Sequence, residues 1–145
     1  SLGVLLALYF PQKVKGLILM GATPCFKKSW EEKNIRAFLL RLKREGMEFL
    51  REFRKRAYPF EFDDQIELNT AQRMLEDYIN LDLTPLLPFV RKKAVVVHGE
   101  RDSIVPISSG IALYNLIKGS KFITFQGGHF PKEYGYIINK VLKGF

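Results

Sequence analysis

A chain of 145 residues, 47% hydrophobic and 13% aromatic, has enough apolar sequence for one folded core and excludes a disordered or repeat protein. No apolar run reaches the roughly 18 to 20 residues of a membrane span, and the opening stretch lacks the basic start and cleavage site of a signal peptide. One cysteine and two histidines exclude an internal disulfide and leave little for a structural zinc, so the expectation is a cytoplasmic protein that needs no metal or other cofactor.

In chain order, residues 4–10 read as a short apolar helix stopped by Pro11, and VKGLILM, at 14–20, as a buried strand. A long middle region follows, in which Ile35, Phe38, Leu42, Phe49 and Phe53 fall on one arc at helical spacing with basic residues opposite, and Gly46 marks a break. A further helix over about 64–80 leads into LDLTPLLPF, whose prolines mark a connector. Alternation then resumes: AVVVHG at 94–99 is a strand, 107–117 a helix, KFITF at 121–125 a strand and 134–142 a closing helix. This order predicts the α/β class, a mainly parallel sheet with flanking helices and a helical insertion of about sixty residues.

The net charge of +8 is unevenly spread: residues 27–58 carry eleven Lys or Arg against five Asp or Glu, and residues 59–93 four against seven. The first of these segments is a candidate contact for nucleic acid, an anionic membrane or an acidic protein, and charge alone does not choose among them.

Sites in open parallel sheets lie beyond the carboxyl ends of the strands, which directs attention to GATPCF, HGERDSIVP and GGHFP. Asp102 stands in the second of these loops, which Pro106 closes, and His129 in the third, behind two glycines that permit a tight turn. An acid and an imidazole can thus meet on one side of the sheet. Such a pair can take a proton from a hydroxyl, and the hydroxyl on offer is Ser1, ahead of the first helix. His98 is the rival base. It lies four residues before Asp102 on the same strand end, where a structural or hydrogen-bonding role is expected instead. Cys25, between Pro24 and Phe26, reads as a buried small residue and stays outside the site.

With these residues in place the sequence resembles the α/β-hydrolase family, whose nucleophile elbow reads G-x-S-x-G and whose triad runs Ser, acid, His along the chain. Ser1, Asp102 and His129 follow that order, and SLG matches the second half of the elbow. The resemblance implies a serine nucleophile at Ser1, a base at His129, an orienting acid at Asp102 and an oxyanion donor in the Leu2 backbone N–H. It further implies that residues of about 27–90 form a lid, with Phe53 lining the substrate cavity. More narrowly, PQKVKGLILMGATPCF followed by a Trp-containing basic segment is similar to the pimeloyl-acyl-carrier-protein methyl ester esterases of biotin synthesis. That likeness implies a small or carrier-borne methyl ester as substrate, an acidic acyl carrier protein docked on Arg36, Arg51, Arg54 and Lys55, and neither nucleic acid nor membrane as partner.

The departures are equally specific. The Gly-x of the elbow, the strand that aims the serine and the loop that gives the second oxyanion donor have no counterpart in these residues, and Val4 stands where the family commonly has glycine. The expectation is therefore one α/β-hydrolase domain represented from its nucleophile onward, with a sheet flank uncovered. Three other readings stay open. The chain is an inactive fragment or a non-catalytic module that binds an acidic protein, or a nucleic-acid binder, for which no recognised fold speaks. The third is a hydrolase that uses the Ser1 amine as its base, which makes the two downstream loops a coincidence.

Overall fold

The computed structural model describes residues 2–61 and 66–144, so Ser1, the expected nucleophile, lies outside the described residues, as does the start of the helix expected from residue 64. The chain divides into two compact units, one formed by residues 1–24 and 83–145 and the other by residues 25–82.

The first unit is built on three strands, β1 (Gly16–Met20), β2 (Lys93–Gly99) and β3 (Lys121–Phe125), in the order β1-β2-β3 with both pairings parallel. Alternation along each strand sends its side chains to two faces. Leu17 and Leu19 stand beside Ala94 and Val96, and α1 (Leu2–Tyr9) and α5 (Ile107–Leu116) pack on that side: a Cβ on Gly3 would touch Leu17, and one on Gly110 would meet His98 and Phe122. On the opposite face Val95, Val97 and Val141 form a buried cluster with Ile18, Met20 and Ile137, which seats α6 (Tyr134–Leu142). Apolar residues on both faces of β2 are what a central parallel strand requires, and its residues from Ala94 to Gly99 are all buried.

Helix α1 buries Val4 and Ala7, one turn apart, and leaves Leu2, Leu6 and Tyr9 on its outer side. It ends before Pro11, which opens a single 3-10 turn, as the ring's fixed φ and missing N–H favour. Among the described residues β1 and β3 each pair only with β2.

The second unit is the insertion. It contains α2 (Glu32–Glu45), α3 (Met47–Ala57) and α4 (Leu68–Asn80). The break expected at Gly46 is present, and its φ of +60° explains the glycine: the residue ends α2, donates to the Leu42 carbonyl and starts α3 in a conformation that a side chain disfavours. Leu42, Phe49, Leu50 and Ala71 are the buried centre, and Phe38 joins it to a run of rings through Phe49, Phe53 and Trp30 at centroid distances of 5.0, 4.9 and 5.8 Å. Arg41 lies over the Phe49 ring at 4.3 Å and binds Glu45, whose carboxyl is held down to about 2 by that guanidinium and by Arg44.

Each unit closes its own two ends. In the first, the Leu83 N–H donates to the Pro24 carbonyl at 2.9 Å, and in the second Cys25 and Asp82 form an antiparallel bridge. No helix among the described residues is long and apolar enough to cross a membrane.

Candidate active site

Asp102 and His129 are brought together as the loop positions require. Asp102 follows β2, and its Oδ1 accepts the N–H groups of Ile104 and Val105 at 2.8 and 2.9 Å, which curls SIVP back over its own carboxylate. Its Oδ2 accepts from Nδ1 of His129 at 2.8 Å. An ionised carboxylate only accepts, so the Nδ1 of His129 carries a proton, and in the neutral ring Nε2 presents its lone pair. The Asp102 side chain is fully buried while that of His129 is 24% exposed, so the imidazole is anchored at one nitrogen and reachable at the other.

Burial pushes the Asp102 pKa up, but the His129 hydrogen bond and then the Val105 and Ile104 N–H groups outweigh it and hold the carboxyl below its ordinary range. The sign of the pH effect follows. A depressed folded-state pKa adds stability that is complete above the unfolded value of about 3.9 and is lost as pH falls through the folded value. Asp102→Asn lacks that contribution, so denaturation midpoints of parent and variant should differ by a constant amount above about pH 5 and converge below about pH 4. A gap that stayed constant into strong acid would contradict the assignment.

His98 is placed differently from His129. Its side chain is completely buried and its Nε2 lies 2.8 Å from the Val105 carbonyl, which can only accept. That nitrogen is therefore a committed donor, and Nδ1 is buried without a hydrogen-bond partner among the described residues. Cys25 is buried at 6% exposure, in the second unit.

Three glycines that the sequence did not single out shape the site. Gly21 ends β1 with a φ of +53°, and a Cβ there would stand 2.9 Å from Cε1 and 3.0 Å from Nδ1 of His129, so the imidazole rests against a bare backbone. Gly99 ends β2 where a Cβ would fall 1.9 Å from the Gly128 carbonyl oxygen. Gly110 makes room for His98 in the same way, its would-be Cβ lying 2.5 Å from Nδ1. The expected turn glycines, 127 and 128, have a different use: neither has a positive φ, Gly127 avoids the Phe125 ring, and Gly128 has open space around it. The signal for Gly21 and Gly99 was present in their places, the first directly after β1 and the second the last residue of β2.

Leu2 is the first residue of α1, where backbone N–H groups have no partner within the helix, which suits an oxyanion donor. Phe53 is half-buried and packs edge-on against Phe38. Arg36 is exposed and paired with Glu32 at 2.5 Å, Arg51 and Lys55 are exposed one turn apart on α3, and Arg54 is partly buried, which lowers its pKa.

No family model matches the chain. It is 36% identical over 63 residues to uncharacterized protein R595 of Acanthamoeba polyphaga mimivirus, a match that covers 37% of this chain and 21% of that protein. Among solved structures it superposes on a hydrolase from Oleispira antarctica with a TM-score of 0.80 at 10% identity, over 96% of this chain and 60% of that one. An esterase from Exiguobacterium antarcticum gives 0.77 at 19% identity, over 99% and 63%. An enol-lactonase from Burkholderia xenovorans gives 0.68 at 18%, over 98% and 60%. The chain thus spans about three fifths of the length of the structures it matches, which include an α/β-fold hydrolase from Bacillus anthracis, and it carries that fold in part.

Proposed function

We propose that this part of an α/β-hydrolase fold supplies the acid and base of a serine carboxylesterase. The observation that carries the reading is the Asp102–His129 pair, bonded at 2.8 Å beyond the carboxyl ends of two parallel strands, with the imidazole Nε2 left as acceptor and a serine earlier in the chain. In this mechanism His129 Nε2 takes the proton of Ser1 Oγ as the oxygen attacks the ester carbonyl, and Asp102 stabilises the imidazolium that forms. His129 then returns the proton to the departing alcohol, leaving an acyl-enzyme. The same nitrogen activates a water that releases the acid and restores the serine. The Leu2 N–H and a second donor stabilise the oxyanions, each donor being worth about 10²- to 10³-fold.

The substrate we favour is a methyl ester of a carrier-borne acyl chain, of the pimeloyl-acyl-carrier-protein kind, supported by the stretch at 11–26 and by the basic insertion. The direct test is fluorophosphonate labelling, with a p-nitrophenyl ester assay beside it. Label located by peptide mapping on Ser1 supports the esterase, and label elsewhere, or none in a protein that hydrolyses the ester, overturns it.

The charge excess of residues 27–58 favours a second reading, a non-catalytic module that binds an acidic protein. Both readings place the acidic partner on the insertion, and the esterase reading makes the forecast in kinetic terms. Arg36, Arg51 and Lys55 are exposed, and exposed ion pairs contribute only about 0.2 to 1 kcal/mol each, so reversing all three should raise KM for a carrier-borne ester about tenfold. Small free esters should keep their kinetics, because lost uniform binding appears in KM alone. Equal losses on both substrates would refute carrier docking at this face.

A further inference from the structure

His98 is the one polar side chain in the buried stretch of β2 from Ala94 to Gly99, and its burial is complete. Burying an imidazole is unfavourable unless its polar atoms find partners, and among the described residues only one of the two nitrogens does. On the Nδ1 side a leucine would fill the space at less cost, so the reason for a histidine lies on the Nε2 side. That nitrogen donates to the Val105 carbonyl at 2.8 Å and lies 3.4 Å from Asp102 Oδ2. Val105 in turn gives its own N–H to Asp102 Oδ1 at 2.9 Å. One residue is thus gripped at its carbonyl by His98 and at its amide by the carboxylate, while the carboxylate holds His129.

We propose that His98 is a positioning residue: through the Val105 carbonyl it fixes the loop that aims Asp102, and so sets the hydrogen bond between Asp102 and His129. The inference rests on reading that pair as the acid and base of the reaction. The packing is cut to match. Gly110 sits in the body of α5, where glycine is unfavourable, and a methyl group there would overlap the His98 ring at Nδ1 and at Cγ, 2.5 and 2.9 Å away. Without the clamp, the Val105 end of the acid loop would lose its carbonyl anchor while the bonds to Oδ1 and the backbone bond from the Asp102 N–H to the Gly99 carbonyl remain, and a carboxylate freer to swing no longer presents Oδ2 to one nitrogen. His98 touches no reacting atom and moves no proton.

The test reads the hydrogen bond itself in the 145-residue chain. It has two histidines, so any His98 substitution leaves His129 as the single imidazole in a ¹⁵N-labelled NMR spectrum. The parent should show a downfield, slowly exchanging His129 Nδ1 proton. His98→Gln, whose amide can still donate to Val105, should keep it. His98→Leu, which fills the space but donates nothing, should lose it while keeping a cooperative melt. Where that variant fails to fold, Gly110→Ala decides: it should lose the resonance by displacing the ring, and regain it when combined with His98→Gln, which removes the ring from the added methyl. A resonance retained in folded His98→Leu or in Gly110→Ala, or lost in His98→Gln, overturns the proposal. Because the readout is not turnover, an inactive chain with the expected spectra would sink the esterase reading and leave the positioning role standing.

Discussion

In a protein that carries the whole α/β-hydrolase fold around these residues, Asp102→Asn and His129→Ala are each expected to cut ester turnover by about 10⁴-fold, with Ser1→Ala at least as severe and the double variants scarcely worse. The size follows from how the three groups work as a unit. Asparagine accepts as aspartate does but carries no charge to stabilise an imidazolium, and its NH₂ can turn toward His129 and favour the tautomer with the proton on the wrong nitrogen. The 2.8 Å contact to Oδ2 is where that reversal would occur. Fluorophosphonate labelling separates the roles, since it needs Ser1 and is only slowed without His129. By contrast, His98→Gln and Cys25→Ser should keep the bulk of turnover: the first retains a donor for Val105, and the second alters a buried residue of the other unit. Should His98→Gln match His129→Ala in a variant that melts like the parent, the base has been misassigned.

The largest expected loss of stability comes from a single methyl group. Gly99→Ala would place Cβ 1.9 Å from the Gly128 oxygen and 2.7 Å from that of Gly127, and all of these are backbone atoms that no rotamer change can move aside. Relief requires parting the end of β2 from the loop after β3, which breaks the bonds from the Glu100 N–H to the Phe125 carbonyl and from the Arg101 N–H to the Gly127 carbonyl. Overpacking against rigid surroundings costs about 1 to 3 kcal/mol and sometimes more, so about 3 kcal/mol is expected, a large share of the 5 to 15 kcal/mol of a typical domain. Gly128→Ala is the control. Its Cβ would meet nothing within 4 Å, so urea denaturation should find it within about 0.5 kcal/mol of the parent. Comparable losses in both variants would mean that the two loops are not packed as described.

Much of this architecture was legible because apolar periodicity and punctuation agreed. KFITF and the helix at Tyr134–Leu142 appear with the bounds the sequence implied, and the break at Gly46 is where the amphipathic arc was interrupted. The pairing of Asp102 with His129 was inferable because strand-end loops on one side of a parallel sheet converge, whatever their separation in the chain. What resisted reading was contact between backbones. A glycine's need for an absent side chain depends on which segment passes over it, and nothing local to HGER announces that GGH does so. The same applies to His98, whose ring looks like a candidate base until its nitrogens are seen to face Val105 and Gly110. Strand starts also shifted, β1 beginning at Gly16 and not at 14, because pairing with β2 starts opposite Lys93.

The bond from Leu83 to Pro24, with the bridge between Cys25 and Asp82, has a bearing on how such a chain can diversify. The sheet-bearing unit needs only a two-residue doorway, already fastened on its own side, to accept the 58 residues that leave at Cys25 and return at Asp82. Anything that fits the doorway can be exchanged like a cassette, longer or shorter, without redrawing the strand ends that carry Asp102 and His129. On the function proposed above, the acid–base pair and the insertion can then be inherited separately. A chimaera that joins Pro24 and Leu83 to the helical insert of another protein of this fold would be the laboratory form of that exchange.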